Sequence, residues 1–176
     1  MLAAAVLAPV ALRLFEKNPR SAKVNGVHPS YPAFIRIAYA WAIIAGALGV
    51  WAAMVNENGV WGASRHALTV GFLAAMVFAV GQRVLPAFSG MRLLFSPKLM
   101  FAALLLLNIG CAMRVSCEVL AYQEYAAWAW KVLPVSAFTE LTAITLFAVN
   151  VFTTFARPAA SQLIRVALMD EEQQVY

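Results

Sequence analysis

Charged side chains are scarce in this sequence, and their scarcity excludes an ordinary soluble domain. Asp, Glu, Lys and Arg make up 12% of the 176 residues, about half the share that a folded surface facing water usually carries. Hydrophobic residues make up 63% of the chain, and they recur in runs long enough to cross a bilayer, about 18 residues or more. The sequence therefore predicts an integral membrane protein in contact with the lipid bilayer.

Motifs for catalysis, metal clusters and nucleic-acid binding are also missing. The sequence has no phosphate-binding glycine loop, nucleophile constellation or paired carboxylates, so no catalytic residue is assigned and an enzyme is disfavoured. The two cysteines, Cys111 and Cys117, lie on different faces of one predicted helix and outside any metal-binding spacing, which predicts small packing residues. The net charge of +5 is spread over short loops, so no nucleic-acid partner is predicted.

Four apolar stretches are each long enough to cross about 30 Å of hydrocarbon; they are 33–54, 66–87, 99–121 and 133–155. Residues 1–15 form a shorter stretch that basic residues follow, which predicts a partial transmembrane helix and not a signal peptide. The predicted fold is all-α, a single transmembrane helical bundle over residues 1–176 with four full spans plus a short N-terminal helix. Because the first helix is short, we expect a larger bundle or a partner chain to complete it.

The basic residues collect at one end of the predicted spans. That end has Arg13, Lys17, Arg20, Lys23, Arg36, Arg83, Arg92, Lys98, Arg157 and Arg165. The opposite end has Arg65 and Lys131, which Glu57 and Glu124 offset. By the positive-inside rule, the first end is cytoplasmic, the N-terminus lies outside and the C-terminus lies inside. The tryptophans, Trp41 among them, mostly fall towards the outer boundary, which predicts an interfacial aromatic belt.

Four ionisable residues fall in one predicted layer, the outer third of the bilayer: His66, Arg114, Glu118 and Glu140. Charges inside a membrane are costly and usually face the bundle interior, so each is a candidate functional residue. Arg114 and Glu118 are four residues apart and can pair along one helical face. One interpretation is an internal ion pair, Arg114 with Glu118 or Glu140, that holds helices together.

The alternative interpretation is a cofactor or proton site at His66. His66 opens the second span at its outer boundary, no other histidine lies within a predicted span, and imidazole is a common ligand of haem iron. Arg65 or Arg114 would contact the haem propionates. His28 lies nearly a full bilayer away, so a second axial ligand would come from another chain or be Met54 or Met113.

Three fragments, in order within residues 33–122, resemble the NnrS family of bacterial membrane proteins. The first, Ile37-Ala38-Tyr39-Ala40-Trp41, is similar to the family's Leu-Gly-Tyr-Leu-Trp segment. The second, Arg65-His66-Ala67-Leu68-Thr69-Val70-Gly71, is similar to its His-Ala-Leu-Thr-x-Gly stretch, and a methionine and an Arg-Val pair follow as Met76 and Arg83-Val84. The third, Met113-Arg114-Val115, resembles an Arg-Val pair near a span end.

The family is described as twelve-helix proteins that contain haem and copper and are linked to nitric oxide tolerance and metabolism. The resemblance implies that this chain corresponds to the C-terminal part of such a protein, in the bacterial inner membrane. It also implies haem b, with His66 as the metal ligand and further contacts from Arg65, Arg114 and Met113. Phe88-Ser89-Gly90 replaces the family's histidine loop, and Arg36 stands where members often carry a histidine. Because a copper site wants several imidazoles, copper is not expected.

Two function hypotheses remain open. The first is an NnrS-like, haem-binding membrane protein in respiratory electron transfer or the nitric oxide response. The second is a non-catalytic membrane subunit that packs against and stabilises a larger respiratory or photosynthetic complex. Both predict other membrane protein subunits as partners.

Overall fold

The computed structural model describes residues 2–14, 16, 28–55, 58–88 and 94–157, and its regular structure there is entirely helical. The elements are α1 (Leu2–Ala11), α2 (Tyr31–Val55), α3 (Asn58–His66), a π-helical segment (Ala67–Ala74), α4 (Ala75–Phe88), α5 (Pro97–Tyr122) and α6 (Ala129–Ala156). Four helices, one of them the continuous run from α3 into α4, are long and apolar enough to cross a membrane. The chain is a multi-pass membrane protein, and the predicted all-α bundle of four full spans plus a short N-terminal helix is confirmed.

The second span begins earlier than the sequence pattern predicts. It runs from Asn58 to Pro86, 29 residues in all, whereas the prediction began it at His66. Asn58 and Gly59 look like a turn in the sequence, but Gly59 packs so closely on the Tyr122 side chain that a Cβ there would overlap it. The chain is therefore already helical at this point. His66 therefore lies about two turns after the start of this helix, whereas the sequence pattern predicted it as the first residue of the span.

The four spans alternate in direction, so α2 and α5 begin, and α4 and α6 end, at the same end of the bundle. We call this the basic end, because its described cations are Arg13, Arg36, Arg83, Lys98 and Arg157. Outside the described residues lie Lys17, Arg20, Lys23, Glu57, Arg92 and Arg165. Helix α1 packs on α2, with Leu2 against Gly46 about halfway along it, and α1 therefore covers the half of α2 nearer the basic end.

Small residues allow the helices to approach closely. The most extensive helix contact joins α5 to α6, and there a Cβ on Gly110 would lie 2.7 Å from Glu140 Cγ. Close approach at glycine and alanine is the usual way in which membrane helices pack, because lipid supplies no hydrophobic drive between them. Gly110 thus brings the polar side chain of Glu140 directly onto the surface of α5.

A buried polar network joins α4, α5 and α6 at the basic end. The Asn150 side chain donates to Gln82 Oε1 (2.8 Å) and to the Ser96 carbonyl (3.1 Å), and its own oxygen accepts from the Ser96 N–H (3.0 Å). Thr154 Oγ1 accepts from the Phe95 N–H at 2.9 Å. Because Ser96 is also the N-cap of α5, the network fixes the start of α5 against the end of α6.

Candidate functional site

A histidine and a carboxylate from two different spans meet inside the bundle. His66 is the last residue of α3, and its Nε2 lies 2.8 Å from Oε1 of Glu140 on α6. The two side chains are 23% and 14% exposed, so water screens their interaction only weakly. The prediction placed both residues in one layer but did not pair them with each other. This contact connects helices that lie 74 residues apart in the chain.

The second pair of the layer lies along α5. Arg114 Nη2 is 3.3 Å from Glu118 Oε1, which confirms the pairing that the four-residue spacing predicts. Across from it, a Cβ on Gly62 would lie 3.3 Å from Glu118 Oε1, so α3 covers this carboxylate. Among the described residues, Arg114 Nε and Glu118 Oε2 are buried without a hydrogen-bond partner. These two buried atoms thus remain available for a hydrogen bond inside the layer.

Small apolar residues fill the space beside the two pairs. Cys111 is fully buried in a cluster with Ala63, Ala67 and Val115, and Cys117 is buried in a neighbouring cluster. Both cysteines are free, so their prediction as packing residues is confirmed. The two polar pairs therefore lie against apolar side chains, where electrostatic interactions are stronger than in water.

The helix changes its winding directly after His66. Residues Ala67–Ala74 are π-helical, an uncommon form that frequently occurs at functional sites. Trp41 of α2 packs over Gly71 in this segment, and its indole N–H donates to Asn108 Oδ1 at 2.9 Å. The indole of Trp41 is thus held inside the bundle by α5, and its assignment to an interfacial belt was wrong.

Replacing Gly71 with alanine is expected to destabilise the bundle, because the new Cβ would lie 2.5 Å from Trp41 Cγ. Overpacking of this kind typically costs about 1–3 kcal/mol. The matched control is Gly81→Ala on α4, where the nearest atoms would be 3.8 Å away and helix propensity alone predicts a gain of up to about 1 kcal/mol. Unfolding of the purified protein in mixed micelles measures both. Equal stability of the two variants would contradict this packing of Trp41.

The other predicted site residues are spread more widely. Arg65 is exposed beside His66, Met113 is half-buried on α5, and Met54 is 81% exposed on α2. His28 is at the basic end, where its Nδ1 lies 2.7 Å from Ser30 Oγ, and it is therefore remote from the layer as predicted. Within the described part of the chain, no group of three or more His, Cys, Asp or Glu side chains could hold a metal ion.

Comparison with known proteins places the chain in one family. No curated protein and no solved structure matches it. The family described as Domain of unknown function (DUF8744) matches residues 2–156, which include α1, all four spans and the polar layer. The chain therefore belongs to the DUF8744 family.

Proposed function

We propose that the chain is an NnrS-like protein of the bacterial inner membrane that acts in respiratory electron transfer or in the response to nitric oxide. The observation that carries this proposal is the convergence of the three fragments on which the resemblance rests. Trp41 of the first fragment packs on Gly71 of the second, and Val115 of the third packs in one cluster with Ala67. Fragments that are remote in sequence thus surround one layer, which supports a shared site.

The proposed orientation follows from the charges. The basic end, with Arg36, Arg83 and Arg157 among its cations, is the cytoplasmic end by the positive-inside rule. The N-terminal end of α1 then points towards the outer side of the membrane, and the C-terminus lies inside. His66 and Glu140 fall in the outer half of the bilayer in this orientation. A site there is within reach of a redox partner or a diatomic gas on the outer side of the membrane.

Haem b is the cofactor that the resemblance implies, and the hydrogen bond of His66 tests its fit. Ligand histidines commonly bind a carboxylate through the ring nitrogen that does not hold the metal, and the carboxylate orients the ring and raises its basicity. Glu140 takes Nε2, so only Nδ1 of His66, the more hindered nitrogen beside Cβ, would be left for a metal in this arrangement, and haem bound through Nε2 would have to displace Glu140. Arg65 and Arg114 would bind the propionates, and Met113 is the methionine nearest in sequence to Arg114. Bound haem would supply a one-electron redox centre.

An absorption spectrum of the purified protein tests this function. The protein, produced in haem-replete cells, is expected to show a Soret band that sharpens on reduction, and His66→Ala is expected to abolish it. The matched control is His28→Ala, which removes the chain's other histidine, at the basic end, and is expected to keep the band. A wild-type protein without a Soret band, or a band that survives His66→Ala, would contradict haem binding at this site.

A second candidate function is a non-catalytic subunit that stabilises a larger membrane complex. It is favoured because both carboxylates of the layer already have a partner: Glu140 contacts His66, and Glu118 contacts Arg114. The layer would then hold helices together and take part in no reaction. The outer face of α6 would be the contact surface, because Phe138 is 70% and Phe152 is 73% exposed. Gentle extraction from native membranes would recover a complex in this case, whereas a stable monomer would count against it.

A further inference from the structure

Three arginines line a cavity of about 380 Å³ at the basic end, between α1, α2 and α4. They are Arg13, Arg36 and Arg83, and among the described residues that line the cavity none is acidic. The Arg83 guanidinium carbon lies 5.4 Å from the centre of the Tyr31 ring, which holds it at the cavity wall. Arg13 has an ion pair with Glu16 at 3.9 Å, but both side chains are largely exposed and such pairs bind weakly. The cavity is therefore a concentrated positive site.

An apolar cavity of about 260 Å³ continues this site towards the bilayer centre. Tyr39 of α2 lines both cavities. The other walls of both are α1 with the residues directly after it, and the run from the π segment into α4. The wall passes from Ala8 of α1 to Leu12 just after α1, and from Phe72 of the π segment to Met76 of α4, four residues in each case. The two cavities thus form one groove, charged at the basic end and apolar beyond it. We call it the arginine groove.

We propose that the arginine groove binds an anionic phospholipid, with the phosphate on the three arginines and an acyl chain in the apolar part. Arginine is well suited to phosphate because its planar fork offers paired N–H donors. Basic pockets between membrane helices on the cytoplasmic side are recognised sites for anionic headgroups. A free anion would use the charged cavity alone, whereas an anionic lipid at this depth also uses the apolar wall next to it. The inference does not depend on haem or on His66.

Native mass spectrometry of the full chain, titrated with lipid in detergent micelles, tests the headgroup. The protein is expected to bind phosphatidylglycerol much more tightly than phosphatidylcholine. Arg36→Gln with Arg83→Gln is expected to weaken phosphatidylglycerol binding by about 25-fold, since each arginine near a membrane surface contributes roughly fivefold. Arg157→Gln is the matched control, because Arg157 is also at the basic end but lies over the Phe95 ring, outside the groove. Equal binding of the two lipids, or equal loss in the control, would overturn the proposal.

A second arm separates a lipid from a free anion. Ala8 lines the apolar cavity on α1, and Ala8→Leu would fill part of it without removing a charge. This variant is expected to weaken binding of long-chain phosphatidylglycerol by several-fold, and millimolar inorganic phosphate is expected to compete poorly with the lipid. If inorganic phosphate displaces the lipid as readily as a short-chain analogue does, and Ala8→Leu has no effect, the groove is a site for a free anion and the lipid proposal is wrong.

Discussion

Glu118→Ala is expected to lower the free energy of unfolding by about 3 kcal/mol. The variant would leave the Arg114 charge without its carboxylate, and removing one partner of a buried ion pair typically costs about 3–5 kcal/mol. The lower end of that range applies here because the Arg114 side chain is 32% exposed, whereas that of Glu118 is 11% exposed. Unfolding of the protein in mixed detergent micelles measures the change, with Ser116→Ala, an exposed position on the same helix, as the control.

The double variant Arg114→Leu with Glu118→Leu separates the lost pair from the unpaired charge. Replacing both members of a buried pair by apolar residues is often neutral or stabilising, so the double variant is expected to be more stable than either single variant. If Glu118→Ala instead unfolds at the same denaturant concentration as the wild type, the pair contributes nothing to stability. The double variant would then be expected to show no recovery.

Asn150→Ala is expected to lower the free energy of unfolding by about 1–3 kcal/mol, the usual cost of an unsatisfied buried polar group. Asn150 is fully buried, and its removal would leave Gln82 Oε1 and the Ser96 N–H without their partner. The matched control is Thr145→Ala on the same helix, because this hydroxyl is exposed and bonds only to the Leu141 carbonyl. The same micelle unfolding assay compares the two.

Protease digestion supplies an independent measure for Asn150→Ala. Since Asn150 fixes the start of α5 against the end of α6, the chain at residues 94–96 is expected to be cut faster in the variant. Equal stability and equal cutting in Asn150→Ala and Thr145→Ala would contradict the network.

The number and the approximate position of the spans could be predicted from sequence, because apolar run length follows directly from bilayer thickness. The start of the second span could not. Asn58-Gly59 has the composition of a turn, and the signal that overrides it, the packing of Gly59 on Tyr122, lies 63 residues away in the chain. Local propensity is weak where a tertiary contact decides the backbone.

The layer of ionisable residues was predictable, but its pairing was predictable only in part. Arg114 and Glu118 share a helix, so their spacing fixes their contact. His66 and Glu140 are on different helices, and their contact depends on how α3 and α6 are rotated against each other. The π segment after His66 and the hydrogen bond from Trp41 to Asn108 depend on the same rotations. No periodicity in a single sequence reports such rotations.

Helix α6 is held in the bundle by packing along one neighbour and by two separate hydrogen bonds to another. It packs along its length on α5, while two side-chain bonds join it to the span that runs from α3 to α4: Glu140 to His66 and Asn150 to Gln82. Glu140 and Asn150 are ten residues apart on α6, about 15 Å along its axis. Breaking the bond to His66 alone would therefore leave the half of α6 near Trp128 held by its packing on α5, whereas Asn150 would still join the other half to α4.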